Sequence, residues 1–522
     1  MYLRVHCPCS LLAAPRSLHT SHLSPLTSLT RLDLAVVLVY CAASLGVGLW
    51  VARRQRTPGD YFLGARDLPA WAILLSIVAT ETSAITVISI PGTGARGDLA
   101  FLQLVLGFIV GRTAVAVWLL PGYFRGEQDT AYARLESRFG PRIRRLMSAI
   151  FLVTRFLGDG VRVFASAIPL ALVTGWSAPV SIAVIGVVTM VYTWVGGFKA
   201  VVWADVFQLG VYVVGGIVTL CVALSLAGGA DAVLAAARGA GKLHLLNPTL
   251  SFTTTYTLLG GLVGGAMLSA ASHGTDHLIV QRLLASRSLR DAQVALVGSG
   301  FVVFLQFLLF LLVGTAIWAT GLVPASVPSD RIFPGFVLAH LPTGLAGLVV
   351  AGILAAAMGT HSSAINALAS SLTHDFYAGW TGRRDPAHLL RVGRVFSALW
   401  GLALMAGALL FLAYDREGKT PVVVLALSVA SIAYGSLLGT YLLAGRWSRA
   451  TGRDVVAGAV VSLAVMLVVF FARPLAERPG LAGLAPAGRL AWPWYVPLGT
   501  LLAVGGGVLS GLLRRGAPDG QA

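Results

Sequence analysis

Charge is scarce in this chain. Only 11% of its 522 residues are charged, while 57% are hydrophobic. A water-soluble globular chain is about one quarter charged, so a soluble domain of this length is excluded and lipid is the main solvent. Acids are scarcer still, 21 against 38 basic residues, for a formal net charge of +17. A basic balance can mark a nucleic-acid binder, but that requires a soluble basic domain to carry it. Here the arginines sit in short loops between apolar runs, so no nucleic-acid partner is expected. Cysteine is sparse, with four in all. Cys41 and Cys221 lie inside apolar runs and read as packing residues. Cys7 and Cys9 stand in a polar leader without further ligands nearby, and no disulfide framework is implied. The ten histidines lack metal-ligand spacing, and no Gly-x-Ser-x-Gly marks a strand-to-helix turn. A membrane-embedded enzyme therefore lacks its chemistry. The weak alternation of membrane β-strands is also missing. Residues 1–32 have no clean apolar signal-peptide core and read as a disordered extension or a misplaced start.

What the chain has in abundance is apolar runs of about twenty residues, the length a helix needs to cross the hydrocarbon core. Backbone groups in lipid must all be paired, so the spans are expected to be helices. About thirteen are legible: 33–52, 71–92, 100–122, 146–174, 178–195, 200–228, 254–273, 293–320, 344–372, 391–413, 420–445, 454–473 and 492–513. The odd count puts the termini on opposite sides. Basic residues mark one side: Arg53, Arg54, Arg56 and Arg66; Arg125 through Arg145; Arg282, Arg287 and Arg290; Arg383 and Arg384; Arg446, Arg449 and Arg453; and Arg514 and Arg515. By the positive-inside rule that side is cytoplasmic. The N-terminus is then outside and the C-terminus inside, in a multi-pass inner-membrane protein. Alternate loops are poorer in basic residues or mix them with acids, as in Asp415-Arg416-Glu417. The connection at 229–253 has room for a short surface helix.

Polar residues break these spans in a few places, and a charge inside a span is a functional candidate by default. The second span runs Ala79-Thr80-Glu81-Thr82-Ser83-Ala84-Ile85-Thr86 toward Pro91-Gly92. Such a segment suits a local unwinding, whose free carbonyls would hold a small hard cation. The blander alternative is an intact helix whose threonines bond to their own carbonyls. The ninth span carries Ala355-Ala356-Ala357-Met358-Gly359-Thr360-His361-Ser362-Ser363, which small-residue packing alone would also explain. Asp205 lies in the sixth span, where a position near the cytoplasmic end would leave it solvated. Arg155, Asp159 and Arg162 share one face of the fourth span and are expected to pair with one another. Arg112 in the third span has no evident partner. Gly260-Gly261 and Gly264-Gly265 predict an interruption of the seventh span. Interruptions at corresponding positions of two halves point to a transporter's midplane site.

The order of several short stretches carries a family resemblance over roughly residues 33 to 515. They are Asp60-Tyr61-Phe62-Leu63-Gly64, Glu81-Thr82-Ser83 with Pro91-Gly92, Leu135-Glu136-Ser137-Arg138-Phe139-Gly140 and Tyr192-Thr193-Trp194-Val195-Gly196-Gly197. Further along come Trp203-Ala204-Asp205, Gly274-Thr275-Asp276 with Gln281-Arg282, and Ala355 through Thr360. The chain resembles the sodium/solute symporter family, which includes sodium/glucose and sodium/proline symporters. The resemblance implies an all-α, leucine-transporter-like fold of two inverted five-helix repeats, with one helix before and two after. The repeats are then 71–228 and 254–445, flanked by an extra helix and loop at 33–70, the external connection 229–253 and two C-terminal helices with a tail at 446–522.

The resemblance also implies cation-coupled symport of a small organic solute by alternating access. A sodium ion would sit between the first broken helix and the eighth core helix. Carried over by position, its ligands are the carbonyls of Ala79, Thr82 and Ala356 and hydroxyls at 359 and 360. Thr360 matches. Position 359 is usually serine and here is Gly359, so a hydroxyl is missing and Ser363, one turn on, is the expected substitute. Glu81, Ser83, Thr86 and Asp205 are the expected substrate or coupling residues, with Asp205 near a second cation route. Glu81 would have a cationic partner: sodium, a proton or an amino group on the solute. Proton coupling is the alternative, since a desolvated carboxylate can load and release a proton. The stretch Phe101-Leu102-Gln103 lacks the acid that sugar transporters place there, which argues against a hexose. No cofactor is expected beyond the coupling ion, and a monomer is expected. A transporter-like sensor module would carry a signalling domain after the last span, and the sequence beyond 515 offers none.

Overall fold

The computed structural model describes residues 29–52, 57–126, 128–414, 422–478 and 480–516. Arg53, Arg54, Arg56, Asp415–Glu417, Cys7 and Cys9 lie outside them. Among the described residues the chain is helical, and its only β-type contact is a lone bridge between Leu68 and Ser286. Eight of these helices are long and apolar enough to cross a membrane, and one bent pair adds a ninth.

Helix α1 (Arg31–Ala52) begins at a buried acid. Asp33 accepts hydrogen bonds from the Thr30 hydroxyl and from the amides of Gly344 and Gly347, the latter at 2.7 and 2.8 Å. A carboxylate over free helix-start amides is favourable on charge and hydrogen-bonding grounds alike.

The second expected span is broken. Helix α2 (Ala70–Glu81) and helix α3 (Ala84–Arg96) meet at 69°. Thr82 and Ser83 between them are extended, with ψ of 99° and 165°. The Thr82 hydroxyl donates back to the Val78 carbonyl at 2.8 Å. An intact helix would make that bond too, yet the helix breaks directly after it, where the sequence predicts a local unwinding.

Helix α4 (Leu102–Ala114) passes through a π turn, Val115–Leu119, into a short helix, Leu120–Tyr123. Helix α5 (Pro141–Thr174) follows. Helix α6 (Ala178–Leu226) is 49 residues long, about 70 Å at 1.5 Å per residue, too long for one crossing. It is hinged at Gly197, whose φ of 54° favours glycine, so it covers the two expected spans 178–195 and 200–228. A short helix, Ala230–Gly239, lies in the connection 229–253.

The seventh span departs from expectation. The glycine pairs do not break it: Gly260–Gly264 forms a π turn that runs straight into helix α7 (Gly265–Gly274). They serve close approach instead. A Cβ on Gly261 would lie 2.8 Å from the backbone of Gln103, and one on Gly264 would lie 2.5 Å from the Pro493 carbonyl. The interruption falls at Thr275 and Asp276, where Asp276 turns extended and caps helix α8 (His277–Leu284) through the Leu278 amide at 2.9 Å.

Helices α9 (Leu289–Ala319), α10 (Leu345–Ser371), α11 (Pro386–Tyr414), α12 (Val422–Arg446), α13 (Gly452–Ala476) and α14 (Tyr495–Gly516) complete the bundle. Helix α10 is its centre: every residue from Val349 to Ser371 is buried. A helix made of small and apolar residues on all sides finds its place inside other helices.

The C-terminal end of α3 is tied down by the connection 229–253. The buried Lys242 ammonium donates to the carbonyls of Ala95 at 2.8 Å, Gly97 at 2.9 Å and Gly94 at 3.3 Å, and lies over the Trp318 ring. A cation at a helix C-terminus meets its free carbonyls and dipole.

Candidate functional site

The break between α2 and α3 faces a cavity of about 190 Å³. Its polar lining includes Thr80, Glu81, Ser83, Thr86 and Thr360, and Phe101, Phe108, Phe307 and Trp492 supply apolar walls. Glu81, Ser83 and Thr86 are therefore together at the break, as the sequence predicts.

Glu81 has a protein partner. Its carboxylate is ion-paired with Arg112 of α4, which is fully buried while the Glu81 side chain keeps 22% exposure. Arg112 also donates to the Ser299 hydroxyl at 2.6 Å. His273 Nε2 lies 3.7 Å from the same carboxylate. The cation expected beside Glu81 is thus a guanidinium of the chain, and the unexplained Arg112 is accounted for. Charges in two neighbouring spans were the available signal.

Thr360 and Thr80 join α10 to α2. The Thr360 hydroxyl donates to the Ala356 carbonyl at 3.2 Å and to the Thr80 carbonyl at 3.4 Å. Thr82 accepts from Gln306 at 2.7 Å. A Cβ on Gly359 would lie 2.8 Å from Gln208 Oε1, 3.3 Å from Asp205 Oδ1 and 3.8 Å from the Ala79 carbonyl oxygen. Oxygens from α2 and α6 therefore converge on the space above Gly359. Among the described residues the buried Gln208 Oε1 and Asp205 Oδ1 have no hydrogen-bond partner, nor has Gln208 Nε2. Buried polar atoms are normally paired, and an all-oxygen set of this kind suits a hard cation.

Ser363 also stands between α10 and α2. It accepts from Arg282, donates to the Gly359 carbonyl at 2.7 Å and lies 3.1 Å from the Thr80 hydroxyl. Gln208 Oε1, from a different helix, lies beside the space that Gly359 leaves. Asp205 is fully buried rather than solvated at a membrane face. Its Oδ2 accepts from Ser76 at 2.6 Å, Arg282 at 2.9 Å and Thr80 at 3.3 Å. Arg282 is likewise buried and not part of a cytoplasmic loop. The reason is the break at Thr275–Asp276: the chain re-enters helix α8 inside the bundle and carries Arg282 with it.

The Arg155 cluster pairs as expected and extends further. Arg155 reaches Asp276 at 2.6 Å, Tyr434 at 3.2 Å and Asp159 at 3.3 Å, and Arg162 reaches Asp159 at 2.6 Å. Arg155 and Arg162 line the cavity, whereas Asp159 and Asp276 are not among its walls.

Residues 61–464 match the sodium:solute symporter family model. The human sodium/iodide cotransporter is 30% identical over 456 residues, covering 84% of this chain and 69% of that protein. The sodium/sialic acid symporter of Proteus mirabilis is 26% identical over 485 residues, 89% of this chain and 96% of that one. A solved outward-open, substrate-bound Na+-coupled sialic acid symporter has a TM-score of 0.81 at 25% identity, covering 93% of this chain and 98% of that one. A nucleobase-cation-symport-1 family transporter in a closed conformation shares the fold, with a TM-score of 0.53 at 17% identity over 88% of this chain and 95% of that one. The architecture is the all-α, leucine-transporter-like one.

Proposed function

The chain belongs to the sodium:solute symporter family, and from that premise we propose that it is a Na+-coupled symporter of a small carboxylate-bearing solute. Secondary active transport by alternating access follows from the family. The solute class rests on one observation: the guanidinium groups of Arg155 and Arg162 edge the cavity, while the carboxylates that balance them stand outside its walls. Relatives include sialic acid and monocarboxylate symporters, whose solutes are anions at neutral pH.

The proposed Na+ site lies between α2 and α10. Its ligands are the carbonyls of Ala79, Thr82 and Ala356 and the hydroxyl of Thr360, with Gln208 Oε1 filling the side that Gly359 leaves open. Thr360 and Thr80 line the solute cavity as well, so the ion and solute sites share a wall, which supports coupling. The Glu81–Arg112 ion pair argues against Glu81 as a proton carrier, because the guanidinium already compensates the carboxylate. Residues 71–228 and 254–445 are assigned as the two repeats. The protein is read as a monomer of the inner membrane with its C-terminus in the cytoplasm.

Uptake into proteoliposomes across a panel of carboxylates, sugars and amino acids, with and without an inward Na+ gradient, tests the reading. Na+-driven uptake of a carboxylate is expected. Accumulation of a neutral sugar, or uptake indifferent to Na+, would overturn it.

A further inference from the structure

A second cavity, of about 620 Å³, opens on the outside of the bundle between α4, α7 and α12. Its upper part is apolar, lined by Val110, Val117, Met267 and Leu438. At its other end it joins a smaller cleft of about 240 Å³, with which it shares Gly122, Arg125, Arg134 and Tyr441. Arg138 lines that cleft and Arg446 lines the groove beside it.

Four arginines therefore converge where an apolar groove becomes polar. Among the described residues none of the four forms an ion pair with a carboxylate, whereas Arg112, Arg144, Arg155, Arg162 and Arg282 all do. Three of them lie over aromatic rings: Arg446 over Trp118 at 5.3 Å, Arg134 over Tyr123 at 5.2 Å and Arg138 over Phe139 at 5.1 Å. Stacking and a carbonyl contact hold Arg134 and Arg138 in place, and among the described residues no carboxylate pairs with either. Basic residues at a membrane rim can serve topology alone. That role does not require them to gather at one cleft, nor the cleft to continue into a groove between helices.

We propose that this groove binds an anionic phospholipid of the bilayer, its phosphate among Arg125, Arg134, Arg138 and Arg446 and an acyl chain along Val110, Val117 and Leu438. Arginine suits the phosphate because its planar fork matches the oxygens. Basic clefts between membrane helices are suited to anionic head groups. The site abuts the break between α7 and α8. Val115 and Leu119 line the groove, and a Cβ on Gly274, where α7 ends, would lie 2.7 Å from Leu119 and 2.9 Å from Val115. Tyr123 donates to the Gly274 carbonyl at 2.7 Å. The lipid thus packs against the wall that supports the second broken helix.

The test uses the full chain in neutral detergent and reads its melting temperature with added phosphatidylglycerol, phosphatidylcholine or inorganic phosphate. A ligand that binds the folded state raises that temperature by mass action. Phosphatidylglycerol is expected to raise it and the other two to leave it unchanged. Arg125→Gln/Arg446→Gln should melt like the wild type without lipid and lose most of the phosphatidylglycerol response. Arg125→Lys/Arg446→Lys should keep part of it. Arg383→Gln/Arg384→Gln, an exposed basic pair elsewhere, should respond like the wild type. An equal response to phosphatidylcholine overturns the headgroup claim, and an equal response to inorganic phosphate overturns the lipid source. The proposal also fails if the Arg125/Arg446 variant responds fully, or if the Arg383/Arg384 variant loses as much.

Discussion

Glu81 and Arg112 face each other across α2 and α4, the acid partly open to the solute cavity and the guanidinium wholly buried. Neither residue is independent of the other. Breaking a buried pair from one side leaves a charge without compensation, at about 3–5 kcal/mol. Glu81→Gln is therefore expected to destabilise strongly, because it strands the wholly buried Arg112 charge, and Arg112→Gln by less, because the Glu81 left behind is partly exposed. Glu81→Gln/Arg112→Gln should be milder than the sum of its single changes. Thermal melts of the four proteins form the double-mutant cycle, and strict additivity would show that the pair is not coupled.

Thr360→Ala removes the hydroxyl that bridges α10 to α2. The Na+ half-saturation of uptake is expected to rise about tenfold, equivalent to one hydrogen-bond-sized contribution. An unchanged Na+ titration would remove Thr360 from the ion site.

Gln208 and Gly359 are expected to behave reciprocally. Gln208→Ala should weaken Na+ binding by deleting an oxygen. Gly359→Ser should weaken it too, because its Cβ would lie 2.8 Å from Gln208 Oε1. Gln208→Ala/Gly359→Ser should bind better than either, since the new hydroxyl takes the space the amide left. Na+-dependent tryptophan fluorescence without solute reads all three. A double variant no better than Gln208→Ala would show that the space above Gly359 is not a ligand position.

Arg162 lines the cavity, and its guanidinium donates to Asp159. Arg162→Gln is expected to raise the KM for the carboxylate while leaving the Na+ half-saturation in place. A parallel change in both would make it a residue of the coupling machinery rather than of solute recognition.

Lys242→Met keeps most of the side chain's bulk and removes the ammonium from the end of α3. The cost should be about 1–2 kcal/mol, the range for a partly buried cation at a helix C-terminus. Hydrogen exchange should quicken over residues 92–99 and stay the same in α10. Equal protection in both proteins would mean that α3 is held by other contacts.

The helical spans were legible because apolar length is a one-dimensional property that lipid reads directly. The break at Thr82–Ser83 was legible for the opposite reason, since hydroxyls and an acid in an apolar run have few other uses. The glycine pairs at 260–265 misled because glycine permits both a kink and a close approach, and only the neighbouring Gln103 and Pro493 decide between them. Arg282 looked like a loop charge because a basic residue just past an apolar run is indistinguishable from a topological one. Its burial depends on Asp205, 77 positions away. Gln208 was missed because a neutral amide in a span raises no alarm until a glycine on another helix leaves it room. In each case the missing information was a contact between helices, which spacing along the chain does not carry.

Asp33 gives the first helix a mechanical role. Through the amides of Gly344 and Gly347 it grips the start of α10, the helix that further along carries Thr360. A tilt of α10 during the transport cycle must then drag the front of α1 along, so a spectroscopic label near residue 30 would serve as a dial for a motion in the middle of the bundle. By the same lever, a rigid fusion joined just ahead of Thr30 would pull on α10 from a distance.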